Sequence, residues 1–119
     1  MNEKILELEK SLFKLEFMHD KDYLNNILDE DYLEIGKSGR FINKFDAIDE
    51  LINTQYDRNI DIYNFTCTEL NKNIFIVHYI TISQKDKIFR TSIWKKDIEY
   101  KIIFHQASKL LDEVKLIKC

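Results

Sequence analysis

The sequence predicts an α+β domain, with helices in its N-terminal half and a mostly antiparallel sheet of about six strands. Two observations carry this. Apolar residues recur at helical spacing as far as about residue 55, interrupted by one short hairpin. From Ile60 onward the chain reads as strand, broken only by segments short enough for antiparallel hairpins. With 119 residues, 45% hydrophobic and 33% charged, residues 1–119 are expected to form one domain with a core of its own.

In chain order, Ile5, Leu8, Leu12 and Leu15 form an apolar stripe, widened by Leu6, Phe13 and Phe17, that predicts a helix over about 3–18. Asn2 is its expected N-cap. Asp20 caps a second, short helix whose Tyr23, Leu24, Ile27 and Leu28 point inward. Tyr32-Leu33-Glu34-Ile35 then reads as a strand, turning through Gly36-Lys37-Ser38-Gly39 and returning through Arg40-Phe41-Ile42. Asn43 with Asp46 resembles a capping box for a third helix, whose Phe45, Ile48, Leu51 and Ile52 share a face and which frays near Gln55. Four strands follow, over about 60–70, 74–84, 88–96 and 99–106.

Composition excludes several classes. Two glycines and no proline leave no glycine-rich phosphate loop or dinucleotide fingerprint. A net charge of −3, with Arg40, Arg58 and Arg90 the only arginines, argues against a nucleic-acid partner. Lys85, Lys87, Lys95 and Lys96 read as solubilising residues near turns. Cys67 and Cys119 match no metal-ligand spacing, so neither a metal nor a cofactor is expected, and reduced thiols in a cytoplasmic protein are the default. The N-terminus lacks the apolar core of a signal peptide, and Ile74–Ile82 is too short to span a bilayer, so no membrane partner is expected.

The 74–82 strand does not alternate. Ile74, Ile76, Ile80 and Ile82 occupy one parity and Phe75, Val77 and Tyr79 the other, so both faces want cover. Helices cover one face, and a second copy of the chain is expected on the other, giving a homodimer.

Period two places Arg90, Ser92 and Trp94 on one face of their strand. A guanidinium, a hydroxyl and an indole N–H suit a carboxylate or phosphate, although the same three residues also suit an ion pair to a helix acid, a backbone hydrogen bond and a core filler. His105 and Gln106 are adjacent, so they point to opposite faces unless a bulge intervenes. Which of them faces inward stays open. His78, among isoleucines, reads as a hydrogen-bonded core or interface histidine.

Three segments, Glu34-Ile35-Gly36-Lys37-Ser38-Gly39-Arg40, Arg90-Thr91-Ser92-Ile93-Trp94 and Tyr100-Lys101-Ile102-Ile103-Phe104-His105-Gln106-Ala107-Ser108, carry a resemblance. Together they resemble a branch, named only as a domain of unknown function, of the nuclear transport factor 2-like superfamily. That superfamily also includes ketosteroid isomerase and the SnoaL-like polyketide cyclases. Tyr100 stands where the family usually has tryptophan, and Ala107 where it commonly has glycine. The resemblance implies a cone-shaped, cystatin-like roll, with the three helices closing the concave side of a strongly curved sheet around a pocket. It also implies dimers through the outer sheet face.

The functional expectation is therefore a homodimeric module binding a small apolar or carboxylate ligand in a largely apolar pocket. Its candidate contacts are Tyr32, Arg90, Ser92, Trp94, His105 and Gln106. One alternative is an isomerase, cyclase or hydratase, which needs a carboxylate base, drawn from Asp29, Glu30, Asp31 or Glu34, and a donor such as Tyr32 or Tyr63. Another is an inhibitor- or immunity-type partner using the acidic stretch Asp20, Asp22, Asp29, Glu30 and Asp31.

Overall fold

The computed structural model describes residues 2–119 and contains four helices and one six-stranded mixed sheet. In chain order these are α1 (Glu3–Ser11), α2 (Leu15–Met18), α3 (Lys21–Ile27), β1 (Leu28–Ile35), β2 (Phe41–Asn43), α4 (Lys44–Ile52), β3 (Tyr63–Asn71), β4 (Ile74–Ser83), β5 (Asp86–Lys96) and β6 (Tyr100–Leu110). The sheet runs β2-β1-β6-β5-β4-β3, antiparallel throughout except where β1 lies parallel to β6. Helices confined to the N-terminal half and an open sheet make this an α+β cystatin-like roll.

The caps explain where the helices begin. Asn2 accepts from the Ile5 amide at 3.1 Å, Asp20 from Tyr23 at 3.0 Å, and Asn43 from Asp46 at 2.9 Å. The single helix expected over 3–18 is instead two. The Ser11 hydroxyl donates to the Leu8 carbonyl at 2.6 Å, and the Leu12, Phe13 and Lys14 amides bond three residues back, to Glu9, Lys10 and Ser11. This tightens and ends the turn without glycine or proline. The chain turns extended at Lys14, so Phe13 enters the core while Phe17 packs on Tyr23 at 4.9 Å.

Leu28, expected on the second helix, is the first residue of β1. That strand starts four residues earlier than Tyr32 because Asp29–Tyr32 bulge out between the β6 pairings of Leu28 and Leu33. Gly39 closes the β1–β2 turn at φ +85°, its amide donating to the Gly36 carbonyl at 2.9 Å. At the other edge β3 begins at Tyr63, three residues later than expected, and just before it the Ile62 carbonyl accepts from the Cys119 amide of the C-terminal segment. β6 runs on to Leu110, four residues past its expected end.

Register fixes the two faces of the sheet. Val77–Ser92–His105 and Tyr79–Arg90–Ala107 are rows facing the helices. His78–Thr91–Gln106 and Ile76–Ile93–Phe104 are rows facing outward. Among the described residues no helix is long and apolar enough to cross a membrane.

Candidate functional site

Helix α1 delivers a carboxylate into the concave side of the sheet. Glu9 is one α-helical turn from Ile5 and, like Ile5 and Phe13, it is buried. The sequence reading missed it. Its Oε1 accepts from the Tyr79 hydroxyl at 2.5 Å and its Oε2 from the Trp94 indole at 2.7 Å. Burial pushes its pKa up, while the Ser92, Tyr79 and Trp94 donors and the charge of Arg90 pull it back.

A second chain of contacts runs beside it. Arg90 Nε donates to Thr81 Oγ1 at 2.8 Å, and Nη1 lies 3.2 Å from His105 Nε2; the guanidinium sits 5.2 Å over the Phe13 ring. His105 Nδ1 is 2.7 Å from the Ser92 hydroxyl. Guanidinium nitrogens only donate, so His105 Nε2 must accept. The proton therefore sits on Nδ1 and is donated to Ser92 Oγ, leaving the Ser92 hydroxyl proton free to point away from the ring. Burial, then Arg90, lowers the His105 pKa to about 3, so the ring is neutral. This tautomer has no basic nitrogen facing Ser92, which rules out a serine–histidine nucleophile here.

The cavity these residues border has a volume of about 90 Å³. Arg90, His105, Tyr32 and Glu9 line it together with Tyr79, Glu34 and Arg58. Tyr32 and Glu34, two apart on β1, share this face, and the Tyr32 hydroxyl donates to Glu34 Oε1 at 2.6 Å. Of the six expected contacts, Tyr32, Arg90 and His105 reach the cavity. Ser92 and Trp94 are fully buried behind its lining, orienting His105 and Glu9. Gln106 faces outward, because Ile103 is an extra residue in β6 opposite the Ile93–Trp94 step. That bulge puts Ile102 and His105 on one side, which strict alternation forbids. The cavity is small, and its lining mixes apolar side chains, Leu12, Phe13, Leu28, Ala47, Leu51 and Ile102, with the charged and phenolic groups.

Among the described residues neither Arg90 nor Arg58 has a carboxylate within 4 Å. Three of the five acids of the 20–31 stretch have partners. Asp20 caps α3, Asp29 lies 2.7 Å from Lys95, and Glu30 lies 2.9 Å from Lys44. Larger hollows of about 480 and 730 Å³ lie on the outer flanks, the first beside that Lys44–Glu30 pair and the second between α2 and the chain from 57 to 62. His78 is half-buried on the outer face, 2.8 Å from Thr91 Oγ1 and stacked on Phe89. Cys67 and Cys119 are free, and burial pushes the Cys67 thiol up, away from reactivity. No group of three metal-ligating side chains converges among the described residues.

The fold is that of the nuclear transport factor 2-like proteins. The chain is similar to an NTF2-like protein from Cytophaga hutchinsonii, with 19% identity, 92% of this chain and 100% of that one covered, and a TM-score of 0.75. An NTF2-like protein of unknown function from Prochlorococcus sp. NATL2A is 20% identical over 95% of each chain, with a TM-score of 0.70. A cystatin-like fold protein from Burkholderia xenovorans is 11% identical, covers 92% of this chain and 88% of its own, and has a TM-score of 0.70. No family model and no curated protein matches the sequence.

Proposed function

We propose that the chain is a small-ligand-binding module, dimeric through its outer sheet face, whose concave cavity takes a small oxyanion such as a carboxylate. The observation that carries this is Arg90: a half-buried guanidinium on the cavity wall, held from two sides, with no carboxylate within 4 Å. A charge removed from water without an ion-pair partner is costly, and an incoming anion offsets that cost. Size narrows the ligand further. Drug-sized sites run to about 300–1,000 Å³, whereas this cavity offers about 90 Å³. A steroid-sized apolar substrate does not fit; acetate, glycolate or phosphate does.

Thermal unfolding in the presence of these anions tests the reading. Acetate, glycolate or phosphate at 100 times its dissociation constant is expected to stabilise the fold by about 2.7 kcal/mol, and benzoate to do little. Arg90→Lys, which loses the planar fork, is expected to bind at least about tenfold more weakly. Equal stabilisation of both proteins by acetate would count against the site.

The dimer reading rests on the outer face. Ile76, Phe89, Ile93 and Phe104 lie there, none of them fully buried, around the polar row of His78, Thr91 and Gln106, and Phe89 is 37% exposed. Sedimentation is expected to give the mass of two chains, and Phe104→Glu that of one. A wild-type protein sedimenting as a single chain at high concentration contradicts this part.

A further inference from the structure

The site has a second cation that strand periodicity gave no reason to notice. Arg58 lies in the segment between α4 and β3, where residues 53–62 have no helix or strand. Although exposed overall, it lines the same cavity as Arg90. Its pKa is held below the usual arginine range, first by loss of water and next by the charge of Arg90, against the opposite pull of Glu34 and Glu50. Two guanidinia border one cavity and repel each other; Glu9, Glu34 and Glu50 border it as well, each more than 4 Å from either guanidinium, so no acid lies between the two forks at ion-pair distance. Glu34 is held by the Tyr32 hydroxyl.

The two arginines are mounted differently. Arg90 is fixed by Thr81, His105 and the Phe13 ring on a central strand. Arg58 is carried by a short span anchored at Thr54, whose carbonyl meets His19 Nε2 at 2.6 Å, and at the buried Ile62. Between these anchors the Asn59 amide bonds only the neighbouring Asp57 side chain, and Asn59 has φ +48°. Ile60 packs against the core and Asp61 lies 3.3 Å from Lys118, so the part of the span that moves at little cost is 55–59, which carries Arg58.

We infer that Arg58 is the second arm of the anion site: a small oxyanion sits between the Arg58 and Arg90 guanidinia, and the 55–59 span closes over it. This rests on the reading of Arg90 given above. The ligand class follows from the pair. One compact group with at least two acceptor oxygens, a carboxylate or a phosphate, bridges two forks, whereas a neutral or cationic ligand leaves the repulsion in place.

The test titrates sodium acetate and inorganic phosphate separately into wild type, Arg58→Gln, Arg58→Lys and Arg90→Lys, with amide hydrogen exchange followed over residues 55–59. Arg58→Gln is expected to weaken binding of at least one anion by about tenfold or more, with the unliganded unfolding midpoint no lower than that of wild type, because the change removes one of two mutually repelling charges. Arg58→Lys is expected to recover part of that loss. Saturating anion should slow exchange in the 55–59 span of wild type but not of Arg58→Gln. If Arg58→Gln binds both anions as wild type does while Arg90→Lys does not, Arg58 has no part in the site and the Arg90 reading stands. If wild type binds neither anion, that reading fails and this inference falls with it.

Discussion

Replacing Glu9 by leucine is expected to destabilise the protein by about 3–5 kcal/mol, a large share of an ordinary domain's stability. The carboxylate is the shared acceptor for the Tyr79 hydroxyl and the Trp94 indole, and all three groups are buried. Leucine leaves the indole N–H, which can only donate, and the phenol without that partner, at about 1–3 kcal/mol each. It also removes the link between α1 and the middle of the sheet. Glu9→Gln is expected to cost only about 1 kcal/mol. Its amide oxygen still accepts from Trp94, and its NH2 donates to the Tyr79 oxygen, which accepts where the indole does not. Urea unfolding of the three proteins reads the difference. Equal losses for leucine and glutamine would mean that the shape of residue 9, not its acceptor oxygens, holds α1 in place.

Acid is expected to unfold the protein through His105. Its folded pKa of about 3 lies below the ordinary value of 6.5, so its contribution is complete above pH 6.5 and is lost as pH falls from 6.5 toward 3. At about 1.36 kcal/mol per pH unit, the loss between pH 6.5 and 4 is on the order of 3 kcal/mol. Glu9 works in the opposite sense. Its folded pKa is raised above 4.5, so its contribution is fully present below pH 4.5 and is lost as pH rises through the folded value. His105→Gln, with no proton to gain, is expected to flatten the fall of stability between pH 6.5 and 4, and Glu9→Gln to steepen it. An unchanged acid slope in His105→Gln would place the sensitive proton on another group.

Much of this architecture was legible in the sequence because it rests on periodicity and caps. Asn2, Asp20 and Asn43 begin helices as their side-chain chemistry demands, and period two put Arg90, Ser92 and Trp94 on one face. What stayed hidden lies where periodicity breaks. The α1–α2 break depends on a Ser11 side chain reaching back one turn, which leaves the apolar stripe undisturbed. The direction of His105 depends on the extra residue Ile103, and one added residue reverses every assignment beyond it. The Arg58 position depends on loop geometry, which has no period at all. Glu9 was readable: residues 5 and 9 stack on one face of α1, and a carboxylate one turn from the core residue Ile5 on that face asks for buried donors.

The indole N–H of Trp94 offers the most direct test of an anion site on the concave side. As the only tryptophan it gives one resonance in a proton–nitrogen spectrum, and its bond to Glu9 ties that resonance to the network beside Arg90. Titration with acetate is predicted to shift it saturably in wild type and to need at least about tenfold more acetate for the same shift in Arg90→Lys. A resonance that never moves, or one that moves alike in both proteins, contradicts the account.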